Sequence, residues 1–123
     1  MKKLAMMLFV SFMAVSAGAA NWVAAAEDSK GEIYTYVDTE SISTQGKYKQ
    51  AFTKLMSIQQ GYYLINLSSY DCKSNPRRIK FTYMTMFDLE GNVTASSAMT
   101  NSSFHPVLPD SIGESEANFV CSF

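Results

Sequence analysis

Only a few side chains in this chain could do chemistry, and their spacing limits what that chemistry is. His105 is the single histidine, so a metal site built on two or more histidines is excluded. Alone, it could serve as a general base near neutral pH. In Phe104-His105-Pro106, however, it has no nucleophile at a fixed spacing and reads as a loop histidine. Asp38 with Glu40, and Asp71 with Asp88, are acids at turns or strand ends. Asp38 reads as the cap of the turn that follows it. There is no G-x-S-x-G, no phosphate-cradling glycine loop and no H-E-x-x-H. This is not the pattern of an enzyme, and no cofactor or metal is expected.

The two cysteines, Cys72 and Cys121, are too few for a four-cysteine zinc site. Neither lies in a C-x-x-C pair. In an oxidising compartment an even pair most simply forms one disulfide. Closing a loop of about fifty residues would contribute roughly 4 kcal/mol in the chain-entropy model.

Two groups of residues could carry binding. Lys73, Arg77, Arg78 and Lys80 surround one turn, and Lys47 and Lys49 fall on one face of a long strand. Such a stripe could hold anionic glycans or acidic protein segments, weakened by salt. The more ordinary reading is a solvated strand face whose charges discourage edge pairing. Tyr34, Tyr36, Tyr62, Tyr63 and Tyr70 exceed what one face needs; about half should be buried and the rest can supply interface area with a polar tip.

The elements positioning these residues begin after an export signal. Met1-Lys2-Lys3 is a basic start, Leu4 to Val15 is almost unbroken apolar sequence, and Ala17-Gly18-Ala19 fits a cleavage site. The run is too short for a bilayer span. Residues 1–19 are therefore expected to be a signal peptide and residues 20–123 a single domain, with no membrane span after cleavage. No cysteine follows the apolar run to carry a lipid, so the exported form is expected without an anchor. Of 123 residues, 47% are hydrophobic, and the formal charge is −1. The signal takes two of the ten basic residues and none of the eleven acidic ones, leaving −3. That balance excludes binding nucleic acid by neutralising phosphates.

Along the remainder, Asn21 to Glu27 and Glu32 to Asp38 read as strands, and Asp38 to Ile42 as a turn or single helical turn. Lys47 to Gln60 has period two, with Tyr48, Phe52, Met56 and Ile58 on one parity, as in a half-buried strand. Tyr62 to Cys72 follows the break at Gly61. Arg77 to Asp88 sets Ile79, Phe81, Tyr83, Thr85 and Phe87 against Arg78, Lys80, Thr82, Met84 and Met86. Glu90-Gly91-Asn92 then turns into Val93 to Met99. Short turns between consecutive strands favour an antiparallel meander. Pro106 and Pro109 bar a regular strand. Ser111 and Glu114 form an S-x-x-E capping box for a helix over Ile112 to Val120. The alternation of Ala117, Phe119, Cys121 and Phe123 would also suit a strand, but the cap and the prolines favour the helix. A Cys72–Cys121 bond would pin that helix to the end of a strand.

In order and spacing, these segments resemble the surface-adhesin protein E domain of Gram-negative bacteria. The matching residues are Trp22, Tyr36-Val37-Asp38-Thr39-Glu40-Ser41-Ile42, Tyr70-Asp71-Cys72, Arg77-Arg78, Phe87 through Val93, Pro106 through Ser111, and Phe119-Val120-Cys121. Phe104 stands where that family usually has tryptophan. The resemblance implies an α+β fold: a twisted antiparallel sheet of about six strands, with a C-terminal helix tied across one face by the disulfide. It also implies a non-enzymatic domain, in the named members an adhesin contacting host extracellular-matrix and plasma proteins. The expectation is an exported bacterial binding protein that recognises host or envelope proteins through its sheet face or a strand edge. Strand pairing would also allow a homodimer. The missing anchor supports an alternative, a soluble periplasmic protein with an envelope-maintenance or inhibitory role. A small-ligand carrier using the aromatic face would need a sizeable apolar cavity.

Overall fold

The computed structural model describes residues 20–99 and 102–123; the signal peptide expected over residues 1–19 lies outside them. Six strands form the sheet path: β1 (Trp22–Glu27), β2 (Ile33–Asp38), β4 (Tyr48–Ser57), β5 (Tyr62–Asp71), β6 (Arg78–Asp88) and β7 (Val93–Ala98). They pair in that order, all antiparallel. Two short strands join from the side, β3 (Ser43–Gln45) on β4 and β8 (His105–Pro106) on β6. Helix α1 (Ile112–Cys121) crosses one face. The fold is the α+β arrangement that the resemblance implies, and Cys72 and Cys121 are bonded, with Cα atoms 5.6 Å apart.

Local chemistry accounts for the breaks. Asp38 caps the 3-10 turn Thr39–Ser41, its Oδ1 accepting from Glu40 N at 3.1 Å and from Asn21 N at 2.9 Å. The strand expected from Lys47 to Gln60 is shorter at both ends. Gly46 takes φ 65°, so it and Lys47 make the β3–β4 turn, and β4 starts at Tyr48. At the far end Ile58 to Gln60 are already in the next turn. Ser111 Oγ accepts from Glu114 N at 3.1 Å, and Glu114 Oε1 accepts from Asp110 N at 2.9 Å, so the glutamate reaches one residue further back than a reciprocal capping box requires. Pro106 sits at the edge of the sheet, opposite Arg78, in a two-residue strand that the prolines were expected to prevent. An edge position asks nothing of its missing N–H.

Two sequence patterns change meaning once the register is known. In β6 the alternation is interrupted: Ser68 pairs with Phe81 and Leu67 with Tyr83, which leaves Thr82 as an extra residue. This bulge reverses the facing of everything beyond it. Ile79 and Phe81 lie under the helix, whereas Tyr83, Thr85 and Phe87 point to the opposite face. In β4 the parity with large apolar residues is the outer one. Ala51, Thr53 and Ser57 are buried beneath the helix, and Phe52 is 41% exposed. Small side chains on that side let a helix approach the sheet closely.

The core lies between α1 and the sheet. It comprises Val37, Ala51, Tyr70, Ile79, Val107, Ala117 and Val120. Polar groups share the same layer: Thr53 Oγ1 and Ser68 Oγ are hydrogen-bonded at 3.1 Å, and Tyr70 donates its hydroxyl to Glu116 Oε1 at 2.7 Å. Burial pushes the Glu116 carboxyl up to about 6, with the Tyr70 hydrogen bond opposing the shift. The same burial, with Glu116 beside it, raises the Tyr70 phenol.

Candidate binding face

The face of the sheet away from α1 carries the large aromatic side chains. Pairing places them in rows across the strands: Tyr34, Met56, Tyr63 and Phe87 in one, Tyr36, Lys54, Ile65 and Thr85 in the next, and Phe52, Leu67 and Tyr83 in a third. Tyr63 stacks on Phe87 with ring centroids 4.8 Å apart. Lys54 lies among these rings, its Nζ 4.5 Å from the centre of Trp22 and 5.4 Å from that of Tyr63. Partial burial lowers the Lys54 pKa, a cost that the ring faces offset by attracting the ammonium. Phe52 and Tyr83 remain well exposed. Tyr83 is hydrogen-bonded to Ser96 Oγ at 2.7 Å, and this holds its ring against β7.

A second cluster adjoins this face. Phe104 stacks on Tyr48 at 4.6 Å, with the Arg78 guanidinium 5.5 Å and the Lys80 ammonium 5.0 Å from its ring centre. Arg78 also donates to Asp71 Oδ2 at 2.6 Å. That bond, helped by the backbone N–H groups of Lys73 and Ser74, holds the Asp71 carboxyl below the usual carboxylate range. Lys47, in the hairpin turn, places its Nζ 5.4 Å over the Tyr48 ring.

The basic residues singled out by sequence are therefore divided. Arg78, Lys80 and Lys47 gather around Phe104 and Tyr48, and Tyr34 and Tyr36 lie on the same side of the sheet. Lys49 pairs with the buried Tyr70, on the helix side. Arg77 donates through Nη1 to Asn118 Oδ1 of the helix and through Nε to the Cys72 carbonyl at 3.5 Å, bracing the disulfide region. Lys73 is exposed in the β5–β6 turn. Sequence reasoning passed over Lys54, Trp22 and Phe104 as binding residues. Lys54 carried a signal, since it is the one lysine on the apolar parity of β4. His105 is exposed on β8, with its ring 6.1 Å from Phe81. Among the described residues no group of three or more His, Cys, Asp and Glu side chains could hold a metal ion.

Among the described residues no element covers this aromatic surface, which is edged with cations on a scaffold stapled from the other side. The family model described as surface-adhesin protein E matches residues 22–122, from Trp22 of this face to the residue after Cys121. The chain belongs to the surface-adhesin protein E family. No curated protein and no solved structure matches it. Membership points to an adhesin-type, non-enzymatic binding protein of the surface or exported class, directed at host molecules. No helix among the described residues is long and apolar enough to cross a membrane. The disulfide and α1 lie on the other side of the sheet from the aromatic face.

Proposed function

We propose that the chain is an exported bacterial protein that binds host or envelope proteins through the aromatic face of its sheet. The observation that carries this reading is the placement of Trp22, Phe52, Tyr63, Tyr83 and Phe87 around Lys54 with no second layer over them among the described residues. Aromatic residues and arginine are what protein interfaces enrich, and the lysines here add a charged rim to them. Arg78 and Lys80 beside Phe104 add an approach path for acidic segments. The exposed edge of β7, Val93-Thr94-Ala95-Ser96-Ser97-Ala98, carries neither charge nor proline to deter pairing, which supports self-association along that strand.

Surface binding assays against laminin, vitronectin and plasminogen at physiological salt test the adhesin reading. Saturable binding that weakens in Phe52→Ser and Lys54→Glu is expected, and no binding to any of the three removes it. Cell fractionation separates surface display from the periplasmic alternative: protein confined to the periplasm leaves envelope proteins as the partners.

A further inference from the structure

On the helix side, between the first turns of α1 and the sheet, lies a cavity of about 380 Å³. That is within the range of small-molecule sites. Its walls are apolar, with Ile33, Leu55, Ile79, Phe81, Val107 and Ile112 among them, and exposed His105, Pro106 and Leu108 form its rim. Three buried polar side chains also line it, Thr35 from β2, Asn66 from β5 and Glu116 from α1, and the Thr35 hydroxyl donates to the Ala26 carbonyl at 3.5 Å. Asn66 is 6% exposed, and its Oδ1 has no hydrogen-bond partner among the described residues. Glu116 accepts one bond, from Tyr70, through Oε1. Asn66 Oδ1 is thus a buried acceptor without a donor, and the Glu116 carboxylate can accept more than the one bond it makes. A buried acceptor left unmet costs about 1–3 kcal/mol, which a bound donor would relieve.

We propose that this cavity binds a small molecule with an apolar body and one hydrogen-bond-donating head, a hydroxyl or an ammonium. The body lies against Leu55, Ile79 and Phe81, and the head reaches the acceptors of Asn66 and Glu116. An anionic head is disfavoured, because it would meet a carboxylate with no lysine or arginine among the residues that line the cavity. This site is on the opposite side of the sheet from the aromatic face, so it is independent of the protein-binding reading.

The experiment uses the fluorescence of 1-aminoanthracene, an apolar ring system with an N–H donor head, titrated with the protein. Saturable enhancement at one probe per chain is expected, displaced by 1-octanol and by octylamine, with octanoate weaker by about tenfold or more. Octylamine ahead of octanol identifies an ammonium head, and the reverse order a hydroxyl. Gly113 lines the cavity, and a Cβ there meets Ser111 Oγ at 3.6 Å and Val107 Cγ1 at 3.9 Å, ordinary contacts. Gly113→Leu should therefore keep the helix, fill the space and weaken the probe about tenfold. Phe52→Ser, on the other face, should leave it unchanged. The proposal is overturned by absence of saturable binding, by octanoate competing as well as octanol, or by loss of binding in Phe52→Ser instead of Gly113→Leu. It is also overturned if the signal disappears as the protein self-associates, which would assign the cavity to a second copy. Should Gly113→Leu fail to fold, the competition series on the unaltered protein still decides.

Discussion

Tyr70 on β5 and Glu116 on α1 meet at 2.7 Å across the helix–sheet interface, although 46 residues separate them in the chain. The phenol reaches the carboxylate through a layer otherwise filled by valine, alanine, isoleucine, serine and threonine. This contact places a titratable group inside the fold and gives the protein a pH response of definite sign.

The Glu116 carboxyl titrates near 6 in the folded protein, above its ordinary 4.5, because burial disfavours the charge. A raised folded-state pKa contributes stability that is complete below the ordinary value and is lost as pH rises through the folded one. Chemical denaturation of Glu116→Gln beside the unaltered protein should show the difference shifting by about 2 kcal/mol in favour of the variant between roughly pH 4 and pH 7. A constant difference across that range would mean that Glu116 does not titrate as a buried acid.

Asp71 has the opposite sign. Its carboxyl is held low, first by the Arg78 hydrogen bond, so its contribution is present above the ordinary carboxylate range and is lost as pH falls through the folded value. In Arg78→Gln, carboxyl-carbon NMR should find the Asp71 titration moved up towards 3.8. An unmoved titration would assign the shift to the turn N–H groups of Lys73 and Ser74 alone.

The disulfide closes 49 residues of separation and fastens α1 to the end of β5. Replacing both Cys72 and Cys121 with serine should lower the unfolding free energy by about 2–5 kcal/mol, read as a lower urea midpoint. Mass spectrometry with and without reductant should first show a two-proton difference; two free thiols in the purified protein would contradict the bond.

Phe52 and Tyr83 project from the aromatic face without contributing to the buried core. Their replacement, Phe52→Ser with Tyr83→Ser, should reduce affinity for a protein partner by about tenfold or more while the denaturation midpoint moves little. A large stability loss with intact binding would make them structural.

The bulge at Thr82 makes a sharper prediction. Deleting Thr82 would leave Ser68 opposite Phe81 and Leu67 opposite Tyr83, so the ladder becomes regular and Tyr83, Thr85 and Phe87 keep the face they have. Cooperative unfolding is expected to survive in calorimetry, and its loss would show that the strand needs the local bend of the bulge as well as its facing.

Local chemistry was the readable part of the chain. The Asp38 cap, the Ser111 cap and the turns at Gly61 and Gly91 each depend on neighbours within a few residues, and each is legible from them. The resemblance supplied the strand count and the placing of the helix across one face. Facing was less legible. In β6 a single unpaired residue reverses the pattern, and nothing in the run from Ile79 to Phe87 marks Thr82 as that residue. In β4 the larger apolar residues suggested the covered side, whereas a close-packed helix selected the small ones. Asn66, Leu55 and Glu116 come together only through the register of β5 on β4 and the docking of α1. Glu116 did leave a trace, as a carboxylate four residues after Ile112 and four before Val120 on the covered stripe of the helix.

The meander itself sets an order of events during folding. Each strand of the path pairs with the one joined to it by a turn, except where the short β3 intervenes, so loop closure is local and cheap. The helix finds its contacts on β1, β2, β4 and β5, many tens of residues back, and is expected to dock after the sheet has formed. Until then Cys121 is far from Cys72, and oxidation becomes the closing step of maturation. Timed alkylation during refolding should find both thiols reactive after sheet formation, and thiol loss preceding the sheet would reverse that order.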